Sequence, residues 1–312
     1  MKKIILLFAF YITASSGFAQ NVIIQGTGTN SRDGATASNI TVTKRSKKDI
    51  KINTLDAATI RCYYKFTQPL TVDKEKLQAT DTMTLDIGSK ISLYYDATRI
   101  KRDSIFGSMM SSTLNPGNIK SMSVMKDQDA SVLEGKGGTT LESTARGETA
   151  KLYKNRQDKE VIITDRGDGA QRYKCTEQNS SQQWNITSDT LTVLGYLCQK
   201  ATTNFRGRNY EVWFAPEIPI NDGPWKLFGL PGLILKVNDS ENLFSFEIIG
   251  LEQLQTPVNI TMAEEEYINC SRKDLAKLKA KQNGGMAINI NGGNVTMVSK
   301  RNSNEYLQLE TE

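Results

Sequence analysis

Apolar residues along much of this chain recur at every second position, the period of a strand with one buried face. In residues 59–66, Ile60, Cys62, Tyr64 and Phe66 alternate with Arg61, Tyr63 and Lys65. Residues 81–86 and 89–95 predict two further strands about a turn at Gly88. From residue 150 the pattern is regular. Segments 151–156, 160–165, 171–177, 183–187, 191–204, 209–215, 233–237 and 243–250 are rich in β-branched and aromatic residues and bounded by turn formers. With no long helical pattern between them, these strands are expected to be antiparallel neighbours on short connections. About ten strands require a strongly curved sheet, a sandwich or a barrel.

Helical spacing is confined to two places. Ile100, Ile105, Met109 and Met110 predict a short helix ahead of Pro116-Gly117. Residues 262–281, acidic early and basic late, predict a second helix with Ile268, Leu275 and Leu278 inward. Residues 20–57 are rich in Ser, Thr, Asn, Gly and Lys and predict a flexible lead-in. Residues 126–149, with Gly135, Gly137 and Gly138, predict a flexible insertion in a β domain spanning 58–255. A C-terminal helix and peripheral tail complete the expectation over 256–312.

The N-terminus changes the picture from fold to compartment. Lys2 and Lys3 precede an apolar run at 4–12, and Ser15, Ser16, Gly17 and Ala19 follow. This is the pattern of a cleavable signal peptide over 1–19, which places the mature chain in the periplasm or outside the cell. A run of that length is too short to span a bilayer, and the most apolar later stretch, 227–237, is broken by Gly229, Pro231, Gly232 and Lys236. No transmembrane segment is expected in the mature chain.

Composition narrows the chemistry. Histidine is absent, which removes Ser-His-Asp and Cys-His nucleophile activation and the commonest ligand of transition metals. Lys and Arg number 39 against 34 Asp and Glu, a near balance that gives no basis for nucleic-acid binding. The basic run Lys44-Arg45-Ser46-Lys47-Lys48 reads as a solvated arm or an anionic-surface contact. Cys62, Cys175, Cys198 and Cys270 allow up to two disulfides in an oxidising compartment, and Cys175–Cys198 is the pair favoured by proximity in sequence.

One segment is unlike the rest. Residues 223–235, Gly-Pro-Trp-Lys-Leu-Phe-Gly-Leu-Pro-Gly-Leu-Ile-Leu, place large apolar groups between Gly-Pro and Pro-Gly turns. Residues 229–234 spell GLPGLI, and the chain here resembles the GLPGLI family of exported Gram-negative proteins. The resemblance extends to Gly195-Tyr196-Leu197-Cys198-Gln199-Lys200-Ala201, Phe205-Arg206-Gly207-Arg208, Trp213-Phe214-Ala215 and Glu217-Ile218-Pro219-Ile220, and in the first half to Leu85-Asp86-Ile87-Gly88 and Tyr94-Tyr95. It implies a mainly antiparallel β fold over about 58–252, similar in strand pattern to the curved half-barrels of periplasmic lipoprotein carriers, with one or two peripheral helices. It implies no activity, cofactor or catalytic residue.

Two readings of this segment stand side by side. Trp225, Leu227, Phe228, Leu230, Pro231 and Leu233 form a lip gripping a lipid-like or peptide ligand, or they fill the domain's own core. Arg206 and Arg208 bind an anionic head group, or they flank a turn at Gly207. The functional expectation is a non-catalytic cell-envelope protein that binds an apolar ligand or an envelope partner such as an outer-membrane protein. The alternatives are a hydrolase or isomerase using Glu211 and Glu217, and a surface adhesion or structural protein. Weaker signals are a methionine set (Met109, Met110, Met122, Met125) for copper(I), Asp127/Asp129 and Asp165/Asp168 for calcium, and the triplet Arg166-Gly167-Asp168. Thr82, Ser104 and Thr190 sit in Asp-Ser/Thr-apolar triplets of a kind that carries O-glycans in related bacteria.

Overall fold

The computed structural model describes residues 5–10, 22–31, 34–44, 50–72, 74–113, 119–125, 128–144, 147–166, 171–179, 182–280, 285–299, 304–306 and 309–311. Six strands come first: β1 (Ile5–Phe10), β2 (Val22–Ser31), β3 (Gly34–Lys44), β4 (Lys51–Val72), β5 (Glu75–Ile87) and β6 (Ile91–Tyr95). Helix α1 (Ala97–Thr113) follows, then β7 (Ser121–Met125), β8 (Thr139–Thr144), β9 (Lys151–Asn155), β10 (Glu160–Arg166) and β11 (Arg172–Gln178). Next are β12 (Asn185–Val193), β13 (Tyr196–Phe205), β14 (Arg208–Ala215), β15 (Leu233–Asp239), β16 (Ser245–Glu264) and β17 (Ile268–Asn269). Helix α2 (Arg272–Ala280) leads to β18 (Gly285–Asn291), β19 (Asn294–Ser299) and β20 (Asn304–Tyr306).

The protein is mainly antiparallel β. A 13-stranded sheet runs β12-β13-β14-β15-β16-β4-β5-β6-β9-β10-β11-β17, with β20 paired to β4. A 7-stranded sheet runs β1-β2-β3-β7-β19-β18-β8. Parallel pairing occurs at β11–β17 and β7–β19. The larger sheet is not closed into a barrel; β12 and β17 are its two ends.

Its curvature has a local cause. The long strands β4 and β16 slip register at Ile248/Gly250, Gln253/Val258 and Ile260/Thr261, and each bulge bends and twists a ladder. The two wings therefore close over one core. Val161, Ile163, Tyr173 and Cys175 come from one wing and Cys198, Ala201, Val212 and Phe214 from the other, yet all belong to one buried cluster. The alternation in β4 does what its period dictates: Cys62, Tyr64 and Phe66 are buried there, and Arg61, Tyr63 and Lys65 point the other way.

Helix α1 begins at Asp96, whose carboxylate accepts from the Arg99 amide at 2.8 Å and caps the first turn. The predicted second helix is corrected to Arg272–Ala280. Residues up to Glu264 are strand instead, because β-branched Val258, Ile260 and Thr261 pair with the start of β4. Ser271 caps α2, accepting from the Asp274 amide at 3.2 Å, and Leu275 is its buried anchor; Ile268 is exposed. The stretch expected to be a lead-in contributes β2, β3 and the start of β4, and the expected insertion contributes a short 3-10 turn at Ala130–Leu133 and β8. Within the expected peripheral tail, residues 285–299 form a hairpin placed inside the smaller sheet between β7 and β8. Ile5–Phe10, within the apolar N-terminal run, pair as the end strand β1, so cleavage after Ala19 would remove an outer strand and leave the β2–β3 ladder in place. Among the described residues no helix is long and apolar enough to cross a membrane.

Candidate functional site

The segment between β14 and β15 is bent in a way that leaves room only for glycine at two positions. Gly229 has φ +104°, and a Cβ there would meet the Trp184 indole nitrogen at 3.1 Å. A Cβ on Gly232 would lie 2.3 Å from the Ala215 carbonyl oxygen. A bent backbone loses ladder partners, so side chains supply them. Trp184 Nε1 donates to the Phe228 carbonyl (2.9 Å), Asn179 Nδ2 to the Lys226 carbonyl (3.0 Å), and the Gln182 side-chain oxygen accepts from the Phe228 amide (3.0 Å).

Two buried ion clusters pin this segment. Asp222, at 0% side-chain exposure, accepts from Lys154 Nζ at 2.5 Å and from Arg156 at 3.0 Å. Lys154 also donates to the Gly223 carbonyl at 2.5 Å. Burial works to raise the Asp222 carboxyl, but the Lys154 and Arg156 charges outweigh it and hold the group below the usual carboxylate range. Burial pushes the Lys154 ammonium down, against the pull of the paired Asp222 carboxylate. In the second cluster Lys226 pairs with Glu177 and Glu310, and Arg272 of α2 reaches the same Glu310. Residues 309–311 thereby close over the segment: Tyr210 donates to the Leu309 carbonyl at 3.2 Å, and the Thr311 amide to the Arg206 carbonyl at 3.1 Å.

The apolar residues expected at a lip lie inside the domain. Trp225, Leu227, Phe228, Leu230 and Leu233 are buried, with Trp225 edge-on to Phe205 at 5.7 Å; Pro231 is exposed. Arg206 and Gly207 both have positive φ and make the β13–β14 turn. Arg206 pairs with Glu177 at 3.2 Å, while Arg208 lies over the Phe244 ring at 4.8 Å and within 3.7 Å of Asp239. Glu211 pairs with Lys200 at 2.7 Å, and Glu217 is exposed beyond the end of β14. Met122 packs in the smaller sheet's core, away from solvent, whereas Met109 is exposed on α1. Asp129 caps the 3-10 turn, and Arg166 pairs with Asp103; Asp127 and Gly167-Asp168 lie outside the described residues. Thr82 and Thr190 are exposed and Ser104 is half-buried.

All four cysteines are free thiols. The expected Cys175–Cys198 link is not formed. Its members sit on β11 and β13, which lie in opposite wings of the sheet and share no ladder.

An open surface feature lies on the other face of the β12–β15 wing. Cross-strand partners share a face, so the register Asn185↔Thr202, Thr202↔Glu211, Glu211↔Asn238 lays four polar side chains in one row across four strands. Asn204 and Asn209 form the next row, joined by a 3.0 Å amide–amide hydrogen bond. On the other side, about 7 Å along the strands, runs the row Lys200–Trp213–Lys236. A groove of about 710 Å³ crosses these strands, and Gln183, Thr203, Tyr210, Asp239, Ser240 and Asn242 complete its lining. Neutral amides and hydroxyls dominate it, and half-buried Trp213 lies in the neighbouring row with Lys200 Nζ 5.7 Å from its ring centroid. An amide donates and accepts at once, which matches neighbouring hydroxyls on a ligand, and an indole face takes C–H groups. The sequence shows these residues only as outward positions; no motif marks them.

The family model described as N-glycanase peptide, N-terminal domain, matches residues 123–276, a span that includes the groove. Two solved structures of PNGF-II, in P21 and C2 crystal forms, are similar at 15% and 14% identity with TM-scores of 0.42 and 0.41. Each alignment covers 70% of this chain and 33% of the solved one, so the chain spans about a third of their length. No curated protein matches.

Proposed function

We propose that this protein is an exported, non-catalytic cell-envelope module of GLPGLI type that binds a saccharide across the β12–β15 wing. The observation that carries the proposal is the four-strand row Asn185–Thr202–Glu211–Asn238 beside Trp213, an open and mainly neutral polar surface with an aromatic edge. A flat array of amides and hydroxyls suits a polyhydroxylated chain better than a lipid, whose burial requires an apolar cavity. The side chains that would have formed such a cavity are committed to the core. The match to an N-terminal domain of an N-glycanase supports a glycan as the first ligand to test.

The test is titration calorimetry of the full chain with soluble N-linked and bacterial-type oligosaccharides. Saturable binding is expected in the micromolar to millimolar range, weakened about tenfold or more by Trp213→Ala. Thr202→Ala and Asn238→Ala should each weaken it several-fold. Binding unaffected by all three changes, or no binding to any oligosaccharide in folded protein, would reject the proposal.

A further inference from the structure

We propose that Cys175 and Cys270 are joined as a disulfide in an oxidising compartment, tethering the β17–α2 arm to the end of the large sheet. The ladder carries this. Strand β11 pairs in parallel with β17 at Tyr173↔Ile268 and Lys174↔Asn269. The next residues on the two strands are Cys175 and Cys270, and the Cys270 amide donates to the Lys174 carbonyl at 3.0 Å. Residues matched across a ladder face the same way. Strand spacing of about 4.8 Å falls inside the Cα separation of roughly 4.4–6.8 Å that a disulfide needs.

Burial agrees with the register. Cys175 belongs to the main core, and Cys270 is half-buried against that same core. Cys62 and Cys198 are fully buried and sit on other strands, β4 and β13. Burial, then the neighbouring Glu177 and Cys270, push the Cys175 thiol up.

The chemistry needs an oxidant, here any small disulfide such as oxidised glutathione or an exported dithiol–disulfide carrier. The more accessible Cys270 thiolate attacks one sulfur of that disulfide and expels the other as a thiolate. The Cys175 thiolate then attacks the Cys270 sulfur and releases the second carrier sulfur. Two thiol protons pass to solvent and two electrons to the oxidant.

The link has a mechanical consequence. The α2 residue Arg272 holds Glu310, and Glu310 holds buried Lys226 in the motif segment. Tethering β17 at Cys175 therefore fixes the platform on which the chain's last described residues close.

The test is non-reducing peptide mapping of the full chain, reoxidised with glutathione disulfide and alkylated with N-ethylmaleimide in denaturant. A Cys175–Cys270 cross-linked peptide with alkylated Cys62 and Cys198 is expected. A Cys175–Cys198 link, a link through Cys62, or four alkylated cysteines would overturn the proposal. In Cys270→Ser the cross-link should vanish, and amide exchange over 272–280 should quicken by roughly tenfold relative to oxidised wild type. In reductant the two proteins should exchange alike; equal exchange under oxidising conditions would also count against the tether.

Discussion

Replacing Asp222 by Asn keeps the shape of the side chain and removes its charge from a site that water does not reach. The carboxylate has 0% side-chain exposure, and its partners Lys154 and Arg156 have 4% and 17%. Lys154 would keep its Gly223 carbonyl contact but lose the anion paired to it. Breaking one side of a buried pair costs about 3–5 kcal/mol, because the remaining charge stays desolvated. Against a total stability of about 5–15 kcal/mol, that is a large fraction. For a domain of this size it lowers Tm on the order of 6–20 °C. Urea unfolding followed by tryptophan fluorescence should show a lower midpoint at unchanged slope. Lys154→Met should cost a similar amount, and the double variant should cost clearly less than the two single losses combined, with coupling of about 2 kcal/mol or more. An Asp222→Asn protein within about 1 kcal/mol of wild type would refute the view that this pair anchors the segment.

The remaining predictions concern the same framework. Asp56 and Asp222 both titrate below the usual carboxylate range in the folded chain. For Asp56 burial works upward and is overcome by hydrogen bonds from the amides of Ile91, Lys90 and Ala57 and from the Ser89 hydroxyl. A lowered folded pKa means stability that is complete above the unfolded value and lost as pH falls through the folded one. Tm should therefore hold steady from pH 7 to about 5 and drop below about pH 4, and Asp56→Asn should shrink that drop; an unchanged acid slope in the variant would contradict the assignment. Gly232→Ala drives a methyl into the Ala215 carbonyl at 2.3 Å, so a loss of about 2–4 kcal/mol is expected by denaturant unfolding, and a neutral effect would show that the turn yields freely. Trp184→Phe leaves the Phe228 carbonyl without its 2.9 Å donor; a loss of about 1–3 kcal/mol is expected, with the circular dichroism spectrum otherwise β-like.

Much of the large sheet is legible in the sequence because its strands alternate cleanly. Residues 151–155, 160–166, 172–178, 208–215 and 233–239 carry β-branched and aromatic groups between turn formers, and each is a strand. The smaller sheet is not legible. β3, β8 and the second half of β2 are rich in Thr, Ser, Asn, Ala and Gly, so their composition resembles a solvated linker, and only pairing makes them strands: β2 with β1 and β3, β3 also with β7, and β8 with β18. The helix predicted over 262–281 fails for a related reason: its charge gradient is real only over its last turns, while residues 258–264 answer to the long partner strand β4. The Ser271-Arg272-Lys273-Asp274 cap was a readable start signal for α2.

The candidate surface is invisible in one dimension because it is made by register. Asn185, Thr202, Glu211 and Asn238 span 54 positions, and no spacing rule joins them until four strands are aligned. Lys154 and Lys226 illustrate the same limit from inside. Each looks like an ordinary polar position between apolar neighbours, and the carboxylates that make its burial tolerable, Asp222, Glu177 and Glu310, lie 49 to 84 residues away.

The architecture also dictates an order of assembly. β4 pairs with β16 across nearly two hundred residues, β7 lies beside β19, and buried Lys226 waits for Glu310. Such distant pairings exact their loop-closure entropy before any reward is returned. A growing polypeptide of this sequence therefore completes its central ladder and its smaller sheet only when almost all of it is available. Slow, late consolidation of that kind would leave a newly made chain extended long enough to be threaded through a narrow channel.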